Sequence, residues 1–225
     1  MDDLQNKNVL FETLRVRNGQ AEYAEEHLAR LQQSIAVLGF KVSANISAEE
    51  IQRFAREYSH PEKIYSLRIF ATQNGAQLAC EEYSPLPAQK YCAGVVLQRA
   101  QHPNLSRAAH KFWQRPAYNE LLQAAQAQAC DDALLCDGDE LLETTTSNFF
   151  MVLDNKMIVP PRGKRLLGVM EKIFLQKSGM LVRAEKILWP LPTAAQCYIS
   201  SSLKGVVPVA KIDERFLLVF PFGAG

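Results

Sequence analysis

No apolar run in these 225 residues approaches the roughly 20 residues that a membrane-spanning helix needs. Neither charge is in excess: 25 Lys and Arg stand against 24 Asp and Glu, a formal net charge of +1. No field therefore favours nucleic acid or an anionic membrane surface, and a small-molecule ligand is the better starting point. Cysteine is sparse and unpatterned. Cys80, Cys92, Cys130, Cys136 and Cys197 are odd in number and never spaced C-x-x-C. That spacing suggests neither a disulfide framework nor a zinc site, and fits reduced thiols in a cytoplasmic protein. The start, Met1-Asp2-Asp3-Leu4-Gln5-Asn6, is acidic and polar, unlike a secretory signal. Also missing are a Walker loop, the glycine fingerprint of dinucleotide-binding folds, a Ser-His-Asp order and any internal repeat. The expectation is a soluble protein with no metal site.

What is present patterns as alternating strands and helices. Residues 9–16 (VLFETLRV) are β-prone and run into Asn18-Gly19, a tight-turn signal. Over 21–38, Leu28, Leu31, Ile35 and Leu38 recur at steps of three and four, and Gly39 supplies a stop, which predicts an amphipathic helix. A second helix is expected over 48–58, with Ser47 as cap and Glu50 at the capping-box position. Residues 64–71 and 76–83 flank Asn74-Gly75 as a hairpin. Ser84-Pro85-Leu86-Pro87-Ala88 reads as a linker, because two prolines so close resist both helix and central strand. Beyond it come a strand at 94–99, a helix at 118–129, and short strands at 133–136, 148–153, 157–159, 196–200 and 206–210, with a helix at 168–178 among them. The fold class expected is α/β with mixed (α+β) sheets: a smaller domain over 1–84, a linker at 85–90 and a larger domain over 91–225.

Lys111 has the setting of a reactive amine. A lysine is ordinarily a solvated surface charge, but this one lies in Ala108-Ala109-His110-Lys111-Phe112-Trp113, among small apolar and aromatic residues. Desolvation lowers a lysine pKa from its reference of about 10.4, and a neutral amine is what attacks an aldehyde. Glu143 heads the run Glu143-Thr144-Thr145-Thr146-Ser147-Asn148-Phe149-Phe150, which reads as a turn feeding a strand, with one exposed glutamate in the plainest case. Ser200-Ser201-Ser202-Leu203-Lys204-Gly205 sits where a strand opens into a loop. It suits either an anion, especially a phosphate, or an ordinary serine-rich loop. Gly168-Val169-Met170 opens a helix whose first N–H groups lack intrahelical partners, a second seat for phosphate.

Taken in order, these segments resemble the class IV aminotransferases, the pyridoxal-phosphate (PLP) fold-type IV family. The matching stretches are Phe11-Glu12-Thr13-Leu14-Arg15-Val16 with Asn18-Gly19, His27-Leu28-Ala29-Arg30-Leu31, Lys111, Glu143 to Phe149, Gly168-Val169-Met170, and Ser200 to Val209 with Pro208 in place. They span nearly the whole chain. The resemblance implies a two-domain fold like that of D-amino acid aminotransferase, shortened at both ends, and pyridoxal 5′-phosphate as cofactor. Lys111 would hold the cofactor as a Schiff base and shuttle the proton, and Glu143 would bond the ring nitrogen. Arg30, the N–H groups of Val169 and Met170, and Ser201 or Ser202 would hold the phosphate. His27 also matches, and is read as a helix-packing histidine.

There are departures. Glu171 stands where the family usually has arginine, and Met170 replaces a commoner threonine, as it does in aminodeoxychorismate lyases. Gln114-Arg115, just after the lysine, resembles the Asn-Arg of some lyases. The first expectation is a lyase that converts 4-amino-4-deoxychorismate to 4-aminobenzoate and pyruvate. An amino-acid aminotransferase of D-amino acid or branched-chain type is the second, and a non-catalytic PLP-binding protein, favoured by the short ends, the third. The resemblance also implies a homodimer acting on a small-molecule amine.

Overall fold

Asn18 (φ 51) and Gly19 (φ 71) form the two-residue loop that joins β1 (Leu10–Arg17) to β2 (Gln20–Ala21), with Arg17 opposite Gln20. Positive φ at both central positions matches the loop to the right-handed twist of its strands. The computed structural model describes residues 8–41 and 45–220. In it the chain forms two compact units. The first holds the residues up to Pro85 together with His110–Arg115, and the second holds Leu86–Ala109 with those from Pro116 on.

The first unit is an antiparallel sheet in the order β2-β1-β3-β4, where β3 is Ile64–Thr72 and β4 is Gly75–Glu82. Helices α1 (Ala24–Leu38) and α2 (Ala48–Tyr58) cover one face. Alternation along β1 sends Leu10, Leu14 and Val16 into that face, where they meet Leu28, Leu31 and Ile51. Burying each such side chain contributes roughly 1.5–3 kcal/mol relative to leaving it exposed. Val9, Phe11 and Phe70 pack together in a separate cluster. Helix α2 has the expected bounds and capping box: the Glu50 N–H donates to Ser47 Oγ (3.1 Å) and the Ser47 N–H to Glu50 Oε2 (2.8 Å). Helix α1 starts later than its apolar spacing implies, because β2 takes residues 20–21 and Tyr23 is left-handed (φ 56). The second hairpin turns at Gln73-Asn74, one residue before the expected Asn74-Gly75. There the Thr72 hydroxyl donates to the Gly75 carbonyl (2.8 Å), and Gly75 (φ 112) begins the return strand.

The second unit begins with α3 (Ala88–Ala93), so that part of the Pro-rich stretch is helical. Its strands include β5 (Val95–Gln101), β6 (Asp132–Asp137), β7 (Glu140–Thr144), β8 (Asn148–Leu153), β9 (Lys156–Val159), β10 (Leu181–Ala184) and β11 (Ile187–Leu188), then β12 (Gln196–Ser201), β13 (Gly205–Ile212) and β14 (Arg215–Phe216). The order is β10-β9-β8-β12-β13-β5-β6-β7-β11, with β14 on β13. Because β7 also pairs with β8, the six strands β8-β12-β13-β5-β6-β7 close into a barrel. Phe149, Met151, Cys197, Ile199, Leu134 and Cys136 share one core cluster. The alternate residues Phe150, Val152 and Tyr198 instead pack against Phe174 and Leu175 of α5 (Val169–Lys177). Helix α4 (Pro116–Ala127) precedes β6, with proline at its first position, where a missing N–H costs nothing. Among the described residues, no helix is long and apolar enough to cross a membrane, and no group of three or more His, Cys, Asp or Glu is placed to hold a metal ion.

Candidate active site

Lys111 lies in the first unit, on a segment that runs beside the start of β1. The Phe11 N–H donates to the Lys111 carbonyl (3.0 Å) and the Trp113 N–H to that of Val9 (2.8 Å), with Phe112 bridged to Leu10. Phe112 enters the helix-side core, so Lys111 and Trp113 turn the other way. The Lys111 ammonium stands 4.7 Å from the Phe11 ring centre, and Trp113 meets Phe11 and Phe70 edge-on. Desolvation pulls the amine down to a pKa of about 7. The Arg30, Arg115 and Arg68 guanidiniums push the same way, and Glu12 opposes them. Near neutral pH a large share of this amine is the unprotonated nucleophile.

Arg30, expected to grip a phosphate, donates from Nε to Glu12 Oε1 (2.7 Å) and from Nη2 to Glu12 Oε2 (2.5 Å). Two of its five N–H groups are thus committed to a neighbour within the chain. His27 is fully buried on α1, as a packing histidine would be, but its Nδ1 also lies 2.7 Å from Glu12 Oε2. Burial pushes the Glu12 pKa up, yet Arg30 and His27 together hold this carboxyl well below the usual range. Burial also lowers the His27 pKa against the pull of Glu12. Glu12 was not singled out from the sequence, although a signal exists: it is a charge in the apolar row Leu10, Leu14, Val16 of a strand.

In the second unit, Glu143 pairs with Asn148 across β7 and β8, and Asn148 pairs with Ser200 across β8 and β12. Cross-strand partners share a face, so the three side chains form a row on the side that carries α5. Strict alternation from Leu141, a core residue, would have sent Glu143 inward. A break in register opposite Leu135–Cys136 adds a residue at Leu142 and turns Glu143 out. Far from being exposed, Glu143 keeps 6% of its surface. Its Oε2 accepts from the Leu166 N–H (3.1 Å), while Asn148 Nδ2 donates to the Leu166 carbonyl (2.6 Å). Both contacts pin the approach to α5, whose N-cap Gly168 offers no side-chain cap to the helix that starts with Val169 and Met170.

The hydroxyl run after Glu143 serves the buried carboxylate of Asp132. Thr144 and Thr146 donate to it (2.8 and 2.5 Å), and so does Thr145. In the loop after β12, Ser201 Oγ accepts from the Lys204 N–H (3.3 Å). The Lys204 ammonium reaches Thr146 Oγ1 (2.6 Å) and Ser147 Oγ (3.3 Å). Burial lowers its pKa, against the attraction of Asp132. Ser200 Oγ is buried and has no hydrogen-bond partner among the described residues. Glu171 forms a two-pronged pair with the buried Arg165 (2.6 and 2.9 Å), so an acid is accommodated where the family resemblance has an arginine.

The amino-transferase class IV family profile matches residues 9–212. The chain belongs to the class IV aminotransferases. It is an enzyme of that PLP-dependent family, with pyridoxal 5′-phosphate as the family's cofactor. It is 26% identical, over 91% of its length and 78% of the relative's, to a probable branched-chain-amino-acid aminotransferase of Rickettsia bellii. Its fold matches a hypothetical aminotransferase from Mycobacterium tuberculosis in a PLP-bound form, with a TM-score of 0.79 and 21% identity over 98% of this chain and 87% of that one. It also matches a 4-amino-4-deoxychorismate lyase from Pseudomonas aeruginosa, with a TM-score of 0.76 and 22% identity over 96% and 87% of the two chains. These likenesses establish a fold-type IV architecture.

Proposed function

We infer that this enzyme cleaves a dicarboxylate amine, 4-amino-4-deoxychorismate, into 4-aminobenzoate and pyruvate. The observation that supports this reading is the set of guanidiniums beside Lys111: Arg68 stands 5.6 Å from the Trp113 ring centre and Arg115 5.8 Å from that of Phe11, and with Arg30 they lower the Lys111 pKa, while Glu12 and Glu81 pair with Arg30 and Arg68. A phosphate uses part of this positive charge. A substrate with two carboxylates uses more than a branched-chain amino acid, whose side chain is apolar.

The residues fit the cofactor chemically. A partly neutral amine, a helix start with glycine as its N-cap, a buried carboxylate and a buried hydroxyl without a partner among the described residues are groups that suit an aldehyde, a phosphate and a pyridine ring. When bound, pyridoxal phosphate supplies an aldehyde for capturing amines and a protonated ring that accepts an electron pair. Lys111 would hold it covalently. Arg30, the Val169 and Met170 N–H groups and the Ser201 and Ser202 hydroxyls would hold its phosphate. Glu143 would keep the proton on the ring nitrogen. Released by the substrate amine, Lys111 would take the proton from substrate C4, enolpyruvate would leave C3, and the lysine would regain its bond as 4-aminobenzoate departs. The reading includes a homodimer acting in the cytoplasm.

The curated relative favours a second reading, amino-acid transamination with a 2-oxo acid acceptor. The two separate by stoichiometry. Given 4-amino-4-deoxychorismate alone, the lyase releases 4-aminobenzoate and pyruvate in equal amounts over many turnovers. If that substrate is inert while an amino acid alone converts the cofactor fully to its amino form in one half-reaction, transamination is the activity.

A further inference from the structure

His102, on the chain just after β5, is a buried imidazole that the proposed chemistry leaves unused. Its side chain has no exposed surface. Nδ1 accepts from the Asn104 N–H (3.1 Å), so in the neutral ring the one hydrogen is on Nε2. Nε2 lies 2.9 Å from Tyr118 Oη on α4 and 3.9 Å from Glu143 Oε1. The two rings meet edge-on, with centres 5.6 Å apart and planes at 89°. The same Glu143 has its other oxygen on the Leu166 N–H.

We propose that His102 is a positioning residue for the proposed reaction: its Nε2–H, donated to Tyr118 Oη, fixes the imidazole edge 3.9 Å from Glu143 Oε1, where its dipole helps keep Glu143 ionised so that the carboxylate retains the proton on the cofactor ring nitrogen. This rests on the reading of Glu143 as the ring-nitrogen partner. A buried carboxylate facing a pyridinium has two neighbouring states, the ion pair and the neutral pair with the proton on oxygen. Burial disfavours the ion pair, whereas N–H dipoles beside the carboxylate, the Leu166 N–H on Oε2 and the imidazole edge near Oε1, favour it. At 3.9 Å the imidazole is beyond direct hydrogen-bond length, so it acts through its N–H dipole and through the placement of Tyr118. A Tyr118 hydroxyl fixed by this acceptor geometry keeps the imidazole edge turned toward Oε1. In such a site only the ionised carboxylate sustains the electron sink, so loss of the N–H affects the chemical step and not the capture of substrate.

The test uses holoprotein carrying pyridoxal phosphate labelled with 15N at the ring nitrogen. In the wild type the signal is expected in the protonated range. His102→Phe keeps an aromatic ring beside Tyr118 but has no N–H. It is expected to retain cofactor at Lys111, to move the signal toward the neutral range, and to lower kcat about tenfold, the lower end of what outer partners of metal ligands show, with KM nearly unchanged. His102→Gln, whose amide again offers an N–H, is expected to restore most of the signal. Glu143→Gln is expected to shift the signal fully. If Glu143→Gln shifts it and His102→Phe does not, the inference is overturned while the Glu143 reading stands. If Glu143→Gln leaves it in place, both fall. Histidine 15N spectra of the wild type add a check that needs no variant: a hydrogen on Nδ1 of His102 in place of Nε2 also overturns the proposal.

Discussion

The side-chain oxygen of Asn148 fills the space that any side chain at residue 168 would need. A Cβ built on Gly168 falls 1.8 Å from Asn148 Oδ1 and 2.9 Å from its Cγ. The backbone at Gly168 is otherwise ordinary (φ −70, ψ 140), so close approach and not conformational freedom requires glycine there. This contact joins the start of α5 to the row Glu143, Asn148, Ser200.

Gly168→Ala therefore has to push the helix start away from Asn148 or turn the amide out. Overpacking of this kind costs roughly 1–3 kcal/mol. The expected result is a lower urea midpoint together with weaker cofactor binding to the apoprotein. An unchanged midpoint and affinity would mean that the approach to α5 yields freely and does not fix the site.

Glu12→Gln leaves Arg30 and His27 facing a neutral amide. Breaking a buried ion pair from one side costs roughly 3–5 kcal/mol, and the partly exposed Arg30 places the expected loss toward the lower figure. The folded-state pKa of Glu12 lies below its ordinary value, so its contribution is present above about pH 4.5 and drains away as pH falls toward the folded value. Chemical denaturation of wild type and variant across pH 2–6 should show the two curves converging as pH falls. Parallel curves would show that Glu12 is not the buried ion described here.

Lys111 gives the opposite slope. Its folded pKa of about 7 lies below the unfolded value near 10.5, so between these pH values the unfolded chain binds the extra proton and the stability of the apoprotein rises with pH. Lys111→Met should remove that rise. Its rate of reaction with an amine reagent should also climb through pH 7, well ahead of the other lysines. A Lys111 that reacts only near pH 10 would contradict the enclosure described.

Much of the first unit is legible in the sequence because its signals are local. Asn18-Gly19 sets the first hairpin, and Ser47 with Glu50 marks the start of α2 to the residue. Strand β8 is equally plain, since Phe149 and Met151 alternate with Phe150 and Val152 between two cores. The placement of His110–Arg115 against β1 is not legible, because it rests on pairing with residues about a hundred positions earlier. Nor is the outward turn of Glu143, which depends on an extra residue in β7 that no residue type announces. Short strands β10, β11 and β14 carry too few residues for any alternation to register. The committed guanidinium of Arg30 shows the same limit: its spacing on α1 is visible, but its partner Glu12 is supplied by another element.

Lys111 is the proposed covalent anchor of the cofactor. Reduction of the purified holoprotein with borohydride, followed by proteolysis and peptide mapping, tests it most directly. The expected result is loss of the visible absorbance, with one pyridoxyl group fixed on the peptide that contains His110-Lys111-Phe112. A label on Lys204 or any other lysine, or a protein that takes up no pyridoxal phosphate, would contradict it.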